Sequence, residues 1–176
     1  MSTLKLTING KKIDPIKVPE EVMMIEFLHE HMNLTGTKFG CGQGVCNACV
    51  IIVDNEDGTK ELKKSCVNST SVFNNKNIRT IEGLATKDKN NNLLKLNPVQ
   101  EAFMEQFSFQ CGWCTSGFLN AATVLIEELK ANPIRKSDVE KVIEEALGEH
   151  ICRCTGYAKY YKGMKNLILS SQGLTL

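Results

Sequence analysis

Eight cysteines carry most of the chemistry that this 176-residue sequence can offer, and they fall into two groups of four. Cys41, Cys46, Cys49 and Cys66 read C-x4-C-x2-C, with the fourth cysteine 17 residues further on. The first three spacings are those of a plant-type [2Fe–2S] site, in which one loop wraps the cluster and a distant residue closes it. Gly36, Gly40, Gly42 and Gly44 let the backbone of that stretch come close and turn its N–H groups towards the sulfides of an anionic cluster. The second group is C-x2-C at Cys111 and Cys114 and C-x-C at Cys152 and Cys154. Each pair stands just before an expected helix start, near Thr115 and near Thr155. Two helix N-termini would then direct free N–H groups and partial positive charge at one anionic centre. Phe103, Phe107, Phe109, Trp113 and Phe118 surround the first pair, and Tyr157, Tyr160 and Tyr161 follow the second. That crowding predicts a buried site of low dielectric, suited to electron transfer.

Other uses of these residues are weaker. Structural zinc also takes four cysteines, usually in paired C-x2-C knuckles with a shorter gap, so it stays open chiefly for the second group. Disulfides are disfavoured, because the cysteine density is below that of a small secreted scaffold. His29 and His31 are expected to be solvated or packed, since each group already holds four thiols. His150, two residues before Cys152, is expected to be structural or exposed, with tuning of the cluster as the alternative. Trp113 and the phenylalanines are expected in the core rather than as electron conduits, and Lys63, Lys64, Lys159 and Lys162 on solvated faces. There is no G-x-G-x-x-G, no P-loop and no nucleophile triad signature; Gly40 to Gly44 lacks the GK[ST] ending of a phosphate loop. The 21 Lys and Arg against 20 Asp and Glu leave a formal charge of +1, which makes no case for nucleic acid or an anionic membrane. The start, MSTLKLTINGKKID, has no apolar h-region or twin arginine, and no apolar run reaches 18 residues. The chain is therefore expected to carry no secretion signal of its own and no spanning helix.

The elements that must position the cysteines divide along the same line. Leu4, Leu6 and Ile8 alternate with polar residues, and Asn9-Gly10 signals a hairpin whose second strand runs over 11–18. Behind Pro19, the stretch EEVMMIEFLHEHM predicts a helix with an acidic first turn and Val22, Ile25 and Leu28/His29 on one face. The glycine-rich loop follows, then strands at 50–53, 61–67 and 78–81. Thr86 to Asn97 is polar and rich in Asn and Lys, which suits a surface linker. Beyond it the period is helical. Asn97-Pro98 caps a helix through Phe107; Phe118, Ala122, Leu125 and Leu129 mark a second; Ser137 and Glu140 form a capping box for a third, with Val139, Ile143 and Ala146 inward; Tyr157, Tyr161, Met164 and Ile168 line a fourth.

The stretches KFGCGQGVCNAC, FQCGWCTSGF and HICRCTGY, in that order, resemble the small iron–sulfur subunit of the molybdenum hydroxylases, the xanthine dehydrogenase and aldehyde oxidoreductase family, along essentially the whole chain. The resemblance implies an α+β fold: a ferredoxin-like β-grasp domain over 1–85, a linker over 86–97 and a four-helix domain over 98–176, each domain with one [2Fe–2S] cluster. It implies a separate large subunit whose molybdenum–pterin cofactor hydroxylates an aldehyde, or next an N-heterocycle or purine. Electrons would enter at Cys111, Cys114, Cys152 and Cys154 and leave through Cys41, Cys46, Cys49 and Cys66 to flavin, a cytochrome or another acceptor. By the same matching Gln110 and Cys154 approach the pterin. The family commonly has C-G-A-C where this chain has Cys46-Asn47-Ala48-Cys49, so Asn47 would add a polar group beside the outer cluster. Ser116 stands where proline is usual, with a local backbone effect expected. A free-standing two-cluster ferredoxin and a zinc-stapled interaction module are the alternatives. The cytoplasm is the favoured compartment, with co-export to the periplasm on a partner's signal next.

Overall fold

Leu4, Leu6 and Ile8 share one interior, as their alternation predicts; all three are buried in the computed structural model, which describes residues 2–176. They belong to or join β1 (Ser2–Leu4) and β2 (Thr7–Ile8). Asn9 and Gly10 take φ of 50° and 77°, the left-handed pair that a two-residue hairpin demands, and turn the chain into β3 (Lys11–Lys12). The return strand expected over 11–18 is broken at Asp14-Pro15, because proline has no N–H for the ladder. Beyond the break, β4 (Ile16–Val18) pairs antiparallel with β1.

The expected helix starts late. Helix α1 covers only Met24–Glu26 and continues as a π-helical segment, Phe27–His31, burying Phe27 and Leu28. Its first residues are taken by another partner: Thr70 N donates to Val22 O and Met24 N to Asn68 O, so the backbone there cannot also close a helical turn. Further on, β5 (Val50–Asp54) pairs antiparallel with β6 (Lys60–Lys64), and β7 (Asn77–Arg79) lies antiparallel to β5 and parallel to β2. The five-stranded sheet runs β3-β2-β7-β5-β6. Ile51 and Val53 join Leu4, Phe27, Phe73 and Ile78 in the N-terminal core.

The polar stretch expected as a linker folds into an exposed hairpin, β8 (Thr86–Lys87) and β9 (Leu93–Lys95). Asp88 closes its turn by accepting from the amides of Asn90 and Asn92, each at 2.8 Å. Helix α2 (Pro98–Glu105) begins in a full capping box between Asn97 and Gln100 and ends short of Phe107, which takes φ 50°. Helix α3 (Thr115–Ala131) is buried on nearly every side from Ser116 to Ile126, because it packs on β5 as well as on the other helices. That second cover explains why β5 reads as a continuous apolar run instead of an alternation.

Helix α4 (Val139–Leu147) buries Val139 and Ile143, with Ala146 half-buried, as expected, but without the capping box. Ser137 instead bonds to Asp138 inside a 3-10 turn. Helix α5 (Ala158–Ser170) starts three residues past Thr155, since Gly156 and Tyr157 both take positive φ (60° and 70°). This delay rotates the inward face: Tyr160, Gly163, Met164 and Ile168 are buried, while Tyr157 is exposed and Tyr161 half-buried. Tyr160 stacks on Phe118 at 4.1 Å between centroids and meets Phe103 edge-on at 5.0 Å, the centre of a second core. The chain is thus mixed α/β, with sheets in its first half and four of its α-helices in the second. Among the described residues no helix is long and apolar enough to cross a membrane.

Candidate iron–sulfur centres

Three of the first four cysteines lie in the coil that leads into β5. Gly42 and Gly44, at φ 66° and 71°, fold this coil so that three amides face one sulfur. Gln43, Val45 and Cys46 donate their N–H groups to Cys41 Sγ at 3.4, 3.4 and 3.5 Å. Those amides hold the Cys41 thiol down at about 6. Cys49 and Cys66 close the site from the end of the coil and the end of β6, both buried. Ser65 brings them together, donating through both its N–H (3.2 Å) and its hydroxyl (2.7 Å) to the Cys49 carbonyl. Burial pushes the Cys49 thiol up to about 12.

Cys114 and Cys152 are buried at the second site, and Cys111 and Cys154 are exposed with their sulfurs 3.4 Å apart. Burial pushes Cys114 up to about 12; its sulfur meets the Tyr160 hydroxyl at 3.7 Å, which is itself 2.8 Å from Thr115 Oγ1. At Cys152 burial also opposes the charge, but Thr155, whose Oγ1 lies 3.0 Å from the sulfur, brings the thiol below its ordinary value. The neighbouring Cys111 thiol raises Cys154. Only α3 starts directly at this site, with Cys114 as its N-cap. The second helix N-terminus expected there is displaced to Ala158, and the Thr155 hydroxyl takes up part of its role.

Within each site the thiols are disposed two and two: Cys41 beside Cys46 and Cys49 beside Cys66, then Cys111 beside Cys154 and Cys114 beside Cys152. Among the described residues no three His, Cys, Asp or Glu surround a point where a single ion would sit. Paired thiols suit a centre of two metal ions, each held by two sulfurs, and the amides on Cys41 suit its negative charge. The histidines stand apart from this set. His29 Nε2 is 2.6 Å from Thr37 O, His31 stacks on Phe27, and His150 is buried against Phe118 at 4.8 Å, where burial holds it neutral at about 4.

The crowd of aromatics divides. Phe103, Phe118 and Tyr160 are core, whereas Phe107, Phe109, Trp113, Ile151 and Tyr157, all close in sequence to Cys111 or Cys154, are exposed, as are those two cysteines. The expected buried site is therefore open on one side, and Gln110 lies exposed next to Cys111 on that side. Trp113 is not core: its indole N–H donates to Phe39 O at 2.9 Å and its ring lies under Lys38 Nζ.

That indole bond is one of five that join the two sites. Carbonyls of the first loop accept from the helical half: Cys46 O from Ile151 N (3.2 Å), Ala48 O from Ser116 Oγ (3.1 Å) and Val50 O from Asn120 Nδ2 (2.7 Å). In the reverse sense Asn47 Nδ2 donates to Glu149 O at 3.1 Å. Ser116 thus does more than the local backbone effect expected of it. Asn47, expected as a polar group beside the first site, is buried with its amide turned to Glu149. Beside this seam Arg79 bonds bidentately to Asp54 and to Glu127, joining β7, β5 and α3. Asn120 could have been singled out as a lone amide in an apolar helix; no local pattern marks Arg79 or Glu127.

Two family models match the chain. A "2Fe-2S iron-sulfur cluster binding domain" covers residues 6–71 and a "[2Fe-2S] binding domain" covers residues 80–165. The small subunit of nicotine 6-hydroxylase from Paenarthrobacter nicotinovorans is 36% identical over 88% of this chain and 82% of that protein. Aldehyde oxidase 1 of Cavia porcellus is 33% identical over 89% of this chain, which spans only 11% of that much longer protein. Among solved structures, a chain of quinoline 2-oxidoreductase from Pseudomonas putida 86 is 32% identical with a TM-score of 0.78, covering 94% of this chain and 91% of that one.

Proposed function

Because the chain belongs to the small iron–sulfur subunits of the molybdenum hydroxylase family, carrying two 2Fe-2S binding domains and an electron-transfer role, we propose which residues perform that role and for which reaction. Cys41, Cys46, Cys49 and Cys66 hold one cluster, and Cys111, Cys114, Cys152 and Cys154 the other. Each thiol pair would hold one iron of its cluster: Cys41 with Cys46, Cys49 with Cys66, Cys111 with Cys154, Cys114 with Cys152. A [2Fe–2S] centre supplies a one-electron acceptor. What the chain supplies is the ligand geometry, three amides on one side of the first site, hydroxyls on the second, and exclusion of water from four of the eight sulfurs. The two-and-two disposition of the thiols carries this reading.

The domain boundaries that go with it are 1–85 for a ferredoxin-like β-grasp domain, 86–97 for the connecting segment and 98–176 for the helical domain. The large partner binds molybdenum–pterin and covers the open side of the second site, where Phe107, Phe109, Trp113 and Tyr157 make an apolar rim around Cys111 and Cys154. Gln110 and Cys154 stand on that rim as the residues that approach the pterin. Electrons then pass from this site to the first and on to flavin, a cytochrome or another acceptor. Two relatives matched over most of their length are named for nitrogen heterocycles, nicotine and quinoline, and we place hydroxylation of that class ahead of the aldehyde oxidation expected first. The compartment that suits reduced thiols is the cytoplasm. Metal analysis of the complex from its native host tests the reading. About four irons per copy of this chain, with molybdenum and a large second chain, are expected. Zinc in place of iron, or four irons with no partner, would overturn it.

A further inference from the structure

We propose that Asn47 is a positioning residue for electron passage between the two cysteine sets, acting by keeping the Cys46 carbonyl on the Ile151 amide; this rests on the ligand assignment above. Cys46 belongs to the first set, and Ile151 precedes Cys152 of the second. The bond from Ile151 N to Cys46 O, 3.2 Å long, therefore connects the two sets through one hydrogen bond and otherwise covalent links alone. One electron crossing here oxidises one centre and reduces the other. No bond is made or broken and no proton moves.

The segment that carries the Ile151 amide is held at few points, one of them the His150 N–H donating to Leu147 O at 3.0 Å. Residues 149–151 lie outside any helix or strand, and Glu149 and Ile151 are exposed, Ile151 at 48%. His150 anchors the middle by packing on Phe118. Asn47 anchors the end, donating Nδ2 to Glu149 O at 3.1 Å. The two bonds, Asn47 to Glu149 and Ile151 to Cys46, form a clasp in which adjacent residues of the loop grip both sides of His150. Asn47 is 5% exposed and holds φ of 58°, a conformation that asparagine tolerates and glycine would adopt without cost. The backbone alone is thus better served by glycine, and the amide is what asparagine adds.

Asn47→Gly and Asn47→Asp, prepared in the purified complex, separate these parts. Glycine keeps the left-handed backbone without the amide; aspartate keeps the shape without the donor. Hydrogen–deuterium exchange reads the Ile151 amide, and rapid-freeze EPR after a sub-stoichiometric pulse of dithionite reads redistribution of the electron between the two cluster signals. Both variants are expected to retain both signals, to lose protection at Ile151 and to redistribute severalfold more slowly. Wild-type protection and wild-type redistribution in both variants, with both signals present, overturn the role of Asn47 and leave the ligand assignment standing. Slower redistribution with Ile151 still protected overturns the route. A wild-type complex without two iron–sulfur signals overturns both readings together.

Discussion

The first turn of α3 lies so close to the loop before β5 that a Cβ on Gly117 would sit 2.0 Å from the carbonyl oxygen of Asn47. No side chain fits between them, and the approach is what lets Ser116 and Asn120 reach the carbonyls of Ala48 and Val50.

Gly117→Ala is accordingly expected to destabilise the chain by at least about 3 kcal/mol, the upper end of overpacking, because the obstructing atom is backbone and cannot rotate away. Thermal unfolding of the iron-loaded protein measures it. A variant as stable as the wild type would show that the two halves do not meet this closely.

Glu127 gives stability a pH dependence of known sign. Burial works against its charge, but the Arg79 guanidinium prevails and holds the carboxyl below its ordinary value. A carboxyl depressed in the folded chain adds stability above its unfolded value, about 4.3, and loses it as pH falls through the lower folded value. Glu127→Gln should therefore cost roughly 1–3 kcal/mol at pH 7, with the gap to wild type closing on acidification below about pH 4. Denaturant midpoints across that range test it, and a constant gap refutes it.

Cys66→Ser should remove one cluster and leave the other. Iron would drop from about four to about two per chain, and one of two EPR signals would vanish while the fold persists. Loss of both signals from a folded protein would contradict two separate ligand sets.

Phe107 is 75% exposed on the rim of the second site, with Lys159 Nζ 5.9 Å from its ring centre. Phe107→Asp should leave the melting of the isolated chain within about 0.5 kcal/mol of wild type. Binding of the large partner should weaken at least about tenfold, since a carboxylate would enter an apolar interface unpaired. Undiminished co-elution at dilute concentration would place that partner elsewhere.

Much of this was legible in the residue string, for local reasons. Asn9-Gly10 specifies its hairpin because two left-handed residues leave one turn available, and the capped helix at Asn97-Pro98 follows from donors within one turn of chain. The grouping of Cys41, Cys46 and Cys49 is local too, whereas Cys66, and the joining of Cys111 and Cys114 to Cys152 and Cys154, are not. Expectation and structure part where another group, distant or adjacent, takes the same backbone or side chain, or where a left-handed residue moves a helix start. Helix α1 starts late because residues 68–70 engage Val22 and Met24, and the Ser137 hydroxyl turns to Asp138 instead of capping α4. The spacing predicts Tyr161 inward, but positive φ at Gly156 and Tyr157 shifts the helix start, and Tyr160 enters the core.

The kind of centre is legible in the residue string, because thiol type and spacing decide which loop can wrap a cluster, and for Cys41, Cys46 and Cys49 both lie within one short stretch of chain. How the two sites face one another, and which side of the second is open, arises only when the two halves pack. That seam consists largely of backbone carbonyls, present at every position, meeting single side-chain donors from residues as far apart as Asn47 and Glu149 or Val50 and Asn120. Pairings of this kind have no period and no composition, so they exist only once the two halves are packed together.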